Sequence, residues 1–237
     1  AESKLLEVTT MGYELLENFS DLFNFTDEHH SEYIFDIEFT DGNIGLGSSF
    51  QGTFMPQVQD CGRPFINALI SVYNLPATFT GGGTEGTPNL DFVALFEPND
   101  LRKDITVATG IFDLTGTWVP IAPDSPVPAM SKKYMTHFVI ESDGKANWRV
   151  IRYADVLLML AEALNENNKS DEALDYLNMV RVRAGLLGDS GLTKSDAREK
   201  IYLERRFELY LEGSRWFDLL RTGRAFETMA AFGMKSY

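Results

Sequence analysis

From Asn147 onward, apolar residues recur at the spacing of a helix. In NWRVIRYADVLLMLAEALNEN the positions Ile151, Ala154, Leu157, Leu158, Ala161 and Leu164 fall on one broad face, with polar residues opposite. The polar run NNKSD then predicts a turn, with Ser170 placed to cap the next helix. That helix, DEALDYLNMVRVRAG, opens on Asp171 and Glu172 and closes at Gly185, which suits the helix dipole and a left-handed cap. Together they predict a helical hairpin. Small Ala161 and Ala173 among Leu157, Leu160, Leu164, Leu177 and Val180 give it the packing pattern of a tetratricopeptide unit, although one such unit cannot bury both its faces. A third helical region starts near Thr193 and Asp196, is interrupted at Gly213 and restarts with Ser214 as N-cap.

Residues 1–145 read differently. YIFDIEF alternates, so Tyr33, Phe35, Ile37 and Phe39 share one face and Asp36 and Glu38 the other, as in a half-buried strand. TPNLDFVALF predicts a short helix with Thr87 as N-cap and Pro88 at its first position, and MGYELLENFSDLF a second with Leu15, Leu16, Phe19, Leu22 and Phe23 on one side. DGNIGLGSSFQG, FTGGGTEGTPN and VPIAPDSPVPAM read as loops. The expected fold is mostly α. It has a loop-rich region with short helices and strands over 1–145, expected to be the ligand-facing part, and a helical region over 146–237.

With 237 residues, 44% of them hydrophobic, the chain is long enough to bury a real core. Its 35 acidic against 21 basic side chains give a formal charge of -14, a field that repels nucleic acid and anionic lipid headgroups. One cysteine, Cys61, excludes an internal disulfide and any multi-cysteine metal site, and reads as a buried thiol. The best apolar run, VLLMLAEAL, is far short of the ~20 residues of a membrane span. The start, AESKLLEVTT, has none of the basic-then-apolar pattern of a secretory signal.

Positions 204–221, ERRFELYLEGSRWFDLLR, crowd both signs of charge among aromatic and leucine residues. Glu204, Glu208 and Glu212 lie on one helical stripe, but a glycosidase needs one of its two acids kept protonated, and adjacent guanidinium groups favour the ionised form. The charge is therefore read as structural. Arginines of RYAD, VRVRAG and SRWFDLLR are expected to fork onto these acids between packed helices, with Arg215 and Glu208 both needed for folding.

RYADVLLMLAEALNE, then ALDYLNMVRVRAG, then IYLERRFELYLEGSRWFDLLRTG follow in the order and spacing of the C-terminal helical region of the SusD/RagB family, which this chain resembles over 149–224. EYIFDIEF, the Asp100/Arg102 pair after NLDFVALF, and KKY at Lys132 to Tyr134 resemble smaller family elements. The resemblance implies a non-catalytic surface lipoprotein that captures oligosaccharides, or in some members peptides, for a SusC-like TonB-dependent transporter in the outer membrane of Bacteroidota-type bacteria. It also implies a lipid anchor and N-terminal helical repeats that do not occur in these residues, so the chain is expected to correspond to the family's C-terminal half. A tetratricopeptide-like scaffold that docks a protein, or a peptide-binding RagB-type protein, is the alternative.

Sugar rings present apolar C–H faces, so an exposed aromatic on a loop can stack on them while amides and carboxylates take the hydroxyls. Trp118, between Gly116 and Pro120, is the leading candidate; Phe50, Phe54, Tyr73 and Phe79 beside Gly-rich segments follow. Asn74 and Asp113, with Asn43 and Gln51, are the polar candidates. Trp216 and Trp148 are expected to be packing residues. GNIGLGSSF has Phe50 where a dinucleotide loop needs its last glycine, and GGGTEGT has no Gly-Lys-(Ser/Thr) of a phosphate loop. His29 and His30 are adjacent and point apart in regular structure, so no transition metal is expected. No cofactor is expected; Ca²⁺ held by loop carboxylates would fit the family, but no ligands stand out.

Overall fold

The computed structural model describes residues 1–25, 28–55, 57, 60–79, 81, 86–140, 142–231 and 233. Asp27 and most of the Gly-rich loop before Thr87 lie outside the described residues. In chain order the elements are helix α1 (Glu2–Val8), a 3-10 helix (Phe19–Phe23), strand β1 (Tyr33–Ile37), and helices α2 (Phe50–Phe54), α3 (Arg63–Tyr73), α4 (Leu90–Ala94) and α5 (Lys103–Thr106). Strands β2 (Gly110–Phe112), β3 (Trp118–Pro120) and β4 (Trp148–Arg152) follow, then helices α6 (Tyr153–Glu166), α7 (Ser170–Arg183), α8 (Lys194–Glu208), α9 (Arg215–Arg221) and α10 (Ala225–Ala231). The fold is mostly α.

Helices α6 and α7 form the expected hairpin, and α8 and α1 pack onto α6. Ala161, Ala173 and Ala197 are buried at this meeting of three helices, where larger side chains would push them apart, and Leu157, Leu160, Leu164, Leu177, Val180 and Ile201 fill the space around them. Burying each such aliphatic side chain contributes about 1.5–3 kcal/mol. Gly185 ends α7 at φ +78°, the Leu186 N–H returning to the Arg181 carbonyl, as a Schellman cap requires. Thr193 caps α8 as expected, its hydroxyl accepting from the Asp196 N–H.

Other expectations fail for local reasons. Ser170 is the first residue of α7, and its hydroxyl donates to buried Asn165, whose amide in turn donates to the Lys194 carbonyl and ties the two interhelical turns together. Asn89, not Thr87, caps α4 by accepting from the Phe92 N–H. The helix expected through MGYELLENFSDLF shrinks to the 3-10 helix, because Glu32 takes the Leu16 N–H out of any helical ladder.

Strand β1 pairs antiparallel with β4, with register shifts between Tyr33 and Phe35 and again between Phe35 and Asp36. The shifts reverse the expected faces. Phe35 and Ile37 are 54% and 48% exposed, while Asp36 turns towards Arg149. Strand β4 runs straight into α6, whose first N–H (Tyr153) donates to the Glu32 carbonyl. That junction aims Arg152 into the interior.

In the first half, α3 packs against the β2–β3 hairpin. Phe65, Leu69, Ile111, Ile121, Met130 and Phe138 make their shared core. Cys61 belongs to it, as expected of a buried thiol, and burial pushes that thiol up to about 11.

Candidate functional site

The charge-rich motif lies inside the protein. Five buried cations, Arg102, Lys133, Arg152, Arg181 and Arg183, meet five buried carboxylates, Glu32, Asp100, Glu204, Glu208 and Glu212. Glu208 is the hub. It accepts from Arg102 at 3.1 Å and from Arg152 at 3.0 Å, and it also pairs with Arg183. Burial alone would push its carboxyl up, but Arg183, Arg152 and Arg102 outweigh that and hold it far below the usual carboxylate range. Burial, opposed by Arg152 and Lys133, leaves Glu212 lowered too. At Glu204 burial prevails over Arg102 and Arg181 and the carboxyl is raised, against the expectation for a guanidinium neighbour. It is nevertheless sealed, 1% exposed, so no sugar reaches it.

Arg152, Arg181 and Arg183 join this network as the sequence suggests. Arg215 does not: it is half-buried and forms no ion pair with a described residue, because both oxygens of neighbouring Asp218 are taken by Arg205 and Arg221. Arg221 pairs with Glu162 and Asp218 at the surface instead. Arg102, Lys133 and Glu32 take the interior places, brought in from far up the chain.

The β2–β3 hairpin carries the candidate recognition surface. Phe112 pairs with Trp118 across it, ring centroids 5.0 Å apart and edge to face. Gly110, two residues before Phe112, lies beneath the indole, where a Cβ would come 2.5 Å from Trp118 Cζ2. Glycine at 110 therefore lets the indole lie down across the strand, and Phe112 props its edge. The Trp118 side of this pair stays 40% exposed. Asp113 fixes the turn: its Oδ1 accepts from the N–H groups of Thr115 and Thr117 and from the Thr115 hydroxyl, and Gly116 supplies the left-handed residue. The Thr115 hydrogen bond holds the Asp113 carboxyl below its ordinary value.

The other candidates fall into two groups. Tyr73, Asn74 and Phe79 lie at the C-terminal end of α3, which shares a core with the hairpin. Asn74 takes the left-handed cap position, and its carbonyl accepts from His137 Nδ1 at 2.7 Å. Tyr73 is half-buried, and burial pushes its phenol up to about 12. Phe79 is not an exposed aromatic. It is 6% exposed with its ring against Phe138, so it serves as a floor residue. Phe50 and Phe54 go elsewhere, into a cluster with Tyr134 and Trp148, and Gln51 beside them is buried. Asn43 stays exposed, its N–H donating to Asp143.

Two residues were missed. Phe112 and Gly110 follow from the hairpin register, and the only sequence signal for it is the turn Asp-Leu-Thr-Gly-Thr between them and Trp118. Trp216, expected in the core, is 49% exposed. Trp148 packs as expected. Among the described residues no three His, Cys, Asp or Glu side chains are placed to hold a metal ion, and no helix is long and apolar enough to cross a membrane.

Residues 125–235 match the SusD family. SusD-like protein P25 of Formosa agariphila is 29% identical over 93% of this chain, which spans 45% of that protein. The structure of surface glycan-binding protein A from Bacteroides thetaiotaomicron in complex with laminarihexaose superposes on 94% of the chain with a TM-score of 0.70 at 23% identity, and the chain covers 50% of it. A laminarin-binding SusD-like protein superposes on 100% of the chain with a TM-score of 0.70 at 25% identity, and the chain covers 53% of it. The chain thus spans about half the length of the proteins it is similar to. Family match, relatives and fold agree with the residues that carried the resemblance, and over residues 125–235 the chain is SusD-like.

Proposed function

We propose that this chain is part of a non-catalytic, cell-surface glycan-binding protein that captures oligosaccharide and passes it to a SusC-like TonB-dependent transporter in the outer membrane, where a lipid anchor holds it. The observation that carries the reading is the Trp118 platform. An indole seated on Gly110 and propped by Phe112 offers a flat apolar face without having to be ordered on binding, and sugar C–H faces stack on such a face. Asp113 in the hairpin turn and Asn74 at the end of α3 are the polar candidates for its fringe. The ion network is the frame of the fold and takes no part in a reaction, and no cofactor is needed.

The names of two similar structures include laminarin or its hexaose, so β-glucan is the first ligand class to try. Titrating laminarihexaose and a panel of neutral and acidic polysaccharides against tryptophan fluorescence tests the reading. Trp118→Ala should abolish the response and leave thermal melting unchanged; retained affinity would remove Trp118 from the site. The scaffold alternative is disfavoured because α1 and α8 already cover the α6–α7 hairpin, the surface such a scaffold would use.

A further inference from the structure

Eight arginines lie between Arg181 and Arg224, and six of them, Arg181, Arg183, Arg198, Arg205, Arg221 and Arg224, bond a carboxylate. The other two, Arg206 and Arg215, are half-buried and pair with no acid among the described residues. Both line one groove of about 600 Å³ bounded by α4, the α8–α9 turn and α10. Burial lowers the pKa of both guanidinium groups; Arg215 adds to this at Arg206, and Arg224 adds to it at Arg215 against Asp218. Asp218 cannot serve Arg215 further, since Arg205 and Arg221 occupy its two oxygens. In a chain of formal charge -14 this is an electropositive spot whose two guanidinium groups have no carboxylate partner among the described residues.

The walls narrow the choice of anion. Trp148, Tyr210, Phe92 and Leu211 line the groove, and Arg206 lies 4.5 Å over the Phe92 ring. Trp216 stands half-exposed in it, and Phe217, Leu220 and Phe226 beside it on α9 and α10 are also exposed. A free inorganic anion or small carboxylic acid would satisfy the arginines and leave this apolar surface in water. Such a surface, rimmed by two arginines, fits a polypeptide whose acid is flanked by apolar side chains.

We propose that this groove docks a segment of a partner polypeptide, with an Asp or Glu carboxylate on Arg206 and Arg215 and apolar neighbours covering Trp216. The site is separate from the Trp118 hairpin and does not depend on the glycan reading.

The test is selection of random dodecapeptides displayed on phage against the 237-residue chain, followed by fluorescence anisotropy with the strongest peptide made synthetically. Selected peptides should carry Asp or Glu beside Leu, Ile or Phe. Arg206→Gln, Arg215→Gln and Trp216→Ala should each weaken binding about ten-fold or more with circular dichroism unchanged. Replacing the peptide's acid by its amide should weaken binding to the unaltered protein as much and remove the difference between it and the arginine variants, a readout that needs no change in the protein. Peptides without an acidic preference, or undiminished affinity in both arginine variants, would overturn the proposal. So would a concentration-dependent dimer in sedimentation that either arginine variant dissolves, because the occupant would then be a second copy of the chain.

Discussion

Arg152 holds both carboxylate oxygens of Glu212: Nε donates to Oε2 at 2.7 Å and Nη2 to Oε1 at 3.0 Å. The same guanidinium donates to Glu32 at 2.6 Å and Glu208 at 3.0 Å, so one side chain at the β4–α6 junction is tied to two distant segments, the stretch before β1 and the end of α8. Planar, multidentate arginine makes this possible where a lysine would offer a point charge. With equal numbers of each sign, the network balances its own charge. Its value lies in register more than in net stability, because desolvation offsets much of the attraction.

Removing its hub is the direct test. Glu208→Ala strands Arg102, Arg152 and Arg183 without their shared partner and should cost about 3–5 kcal/mol, read by chemical denaturation. Arg215→Ala, outside the network, should change stability by less than about 1 kcal/mol. Equal losses in the two variants would mean that the network is not where the structure puts it.

Acid should loosen the fold in a defined direction. Glu208 and Glu212 have folded pKa values below their unfolded ones, so their stabilisation is present above the unfolded value of 4.5 and is lost as pH falls below it. Glu204, raised by burial, works the other way and partly offsets the loss. The midpoint of thermal unfolding should drop steadily from pH 5 to pH 3 in the unaltered protein, and the drop should be shallower in Glu208→Gln. Parallel curves for the two proteins would contradict the assignment.

Lys133 adds a limb at alkaline pH. Burial, opposed by Glu212, pushes its ammonium down to about 8 from an unfolded value of 10.5. Between those values the unfolded chain binds more protons than the folded one, so this group makes stability rise with pH. Lys133→Met should remove that rise while leaving Glu212 paired with Arg152. A stability difference between the two proteins that is flat from pH 7.5 to 10.5 would count against it.

Gly110→Ala should disturb the candidate recognition surface without touching any sugar-facing atom. The added Cβ would sit 2.5 Å from Trp118 Cζ2 and 2.7 Å from the Val119 carbonyl, so either indole or strand must move, at about 1–3 kcal/mol. The expected readout is a shift in tryptophan emission together with weaker glycan binding. Unchanged emission would show that the indole is not seated on Gly110.

Thr193→Ala should cost about 1 kcal/mol by removing the α8 cap. Ser170→Ala should act through Asn165 instead, because the Ser170 hydroxyl bonds that side chain and caps nothing. Slower amide exchange at the start of α7 in Ser170→Ala than in the parent would be inconsistent with that bond.

Elements whose structure depends on near neighbours were legible in the sequence. Helices α6, α7 and α8 follow from apolar residues at helical spacing and from Gly185 and Thr193 at their ends, and the hairpin follows from the short turn between them. The structural reading of the charged motif was legible too, since guanidinium groups interleaved with carboxylates are poor company for a general acid. Trp118 stood out as a candidate because a large indole lies between Gly116 and Pro120, but its place in a strand opposite Phe112 came only from the hairpin pairing.

What tertiary structure alone decided is which partner each side chain meets. Alternation in YIFDIEF fixes that Phe35 and Asp36 point oppositely, but the register shifts against β4 choose which of them faces inward. Helical spacing lists the arginines, yet Arg102 and Lys133 enter the network while Arg206 and Arg215 are left beside an open groove. Glu32 meets Arg152 across 120 residues, and no local rule encodes that separation. Local periodicity reports a side chain's direction relative to its own element, whereas burial and pairing are set by what the rest of the chain places opposite it.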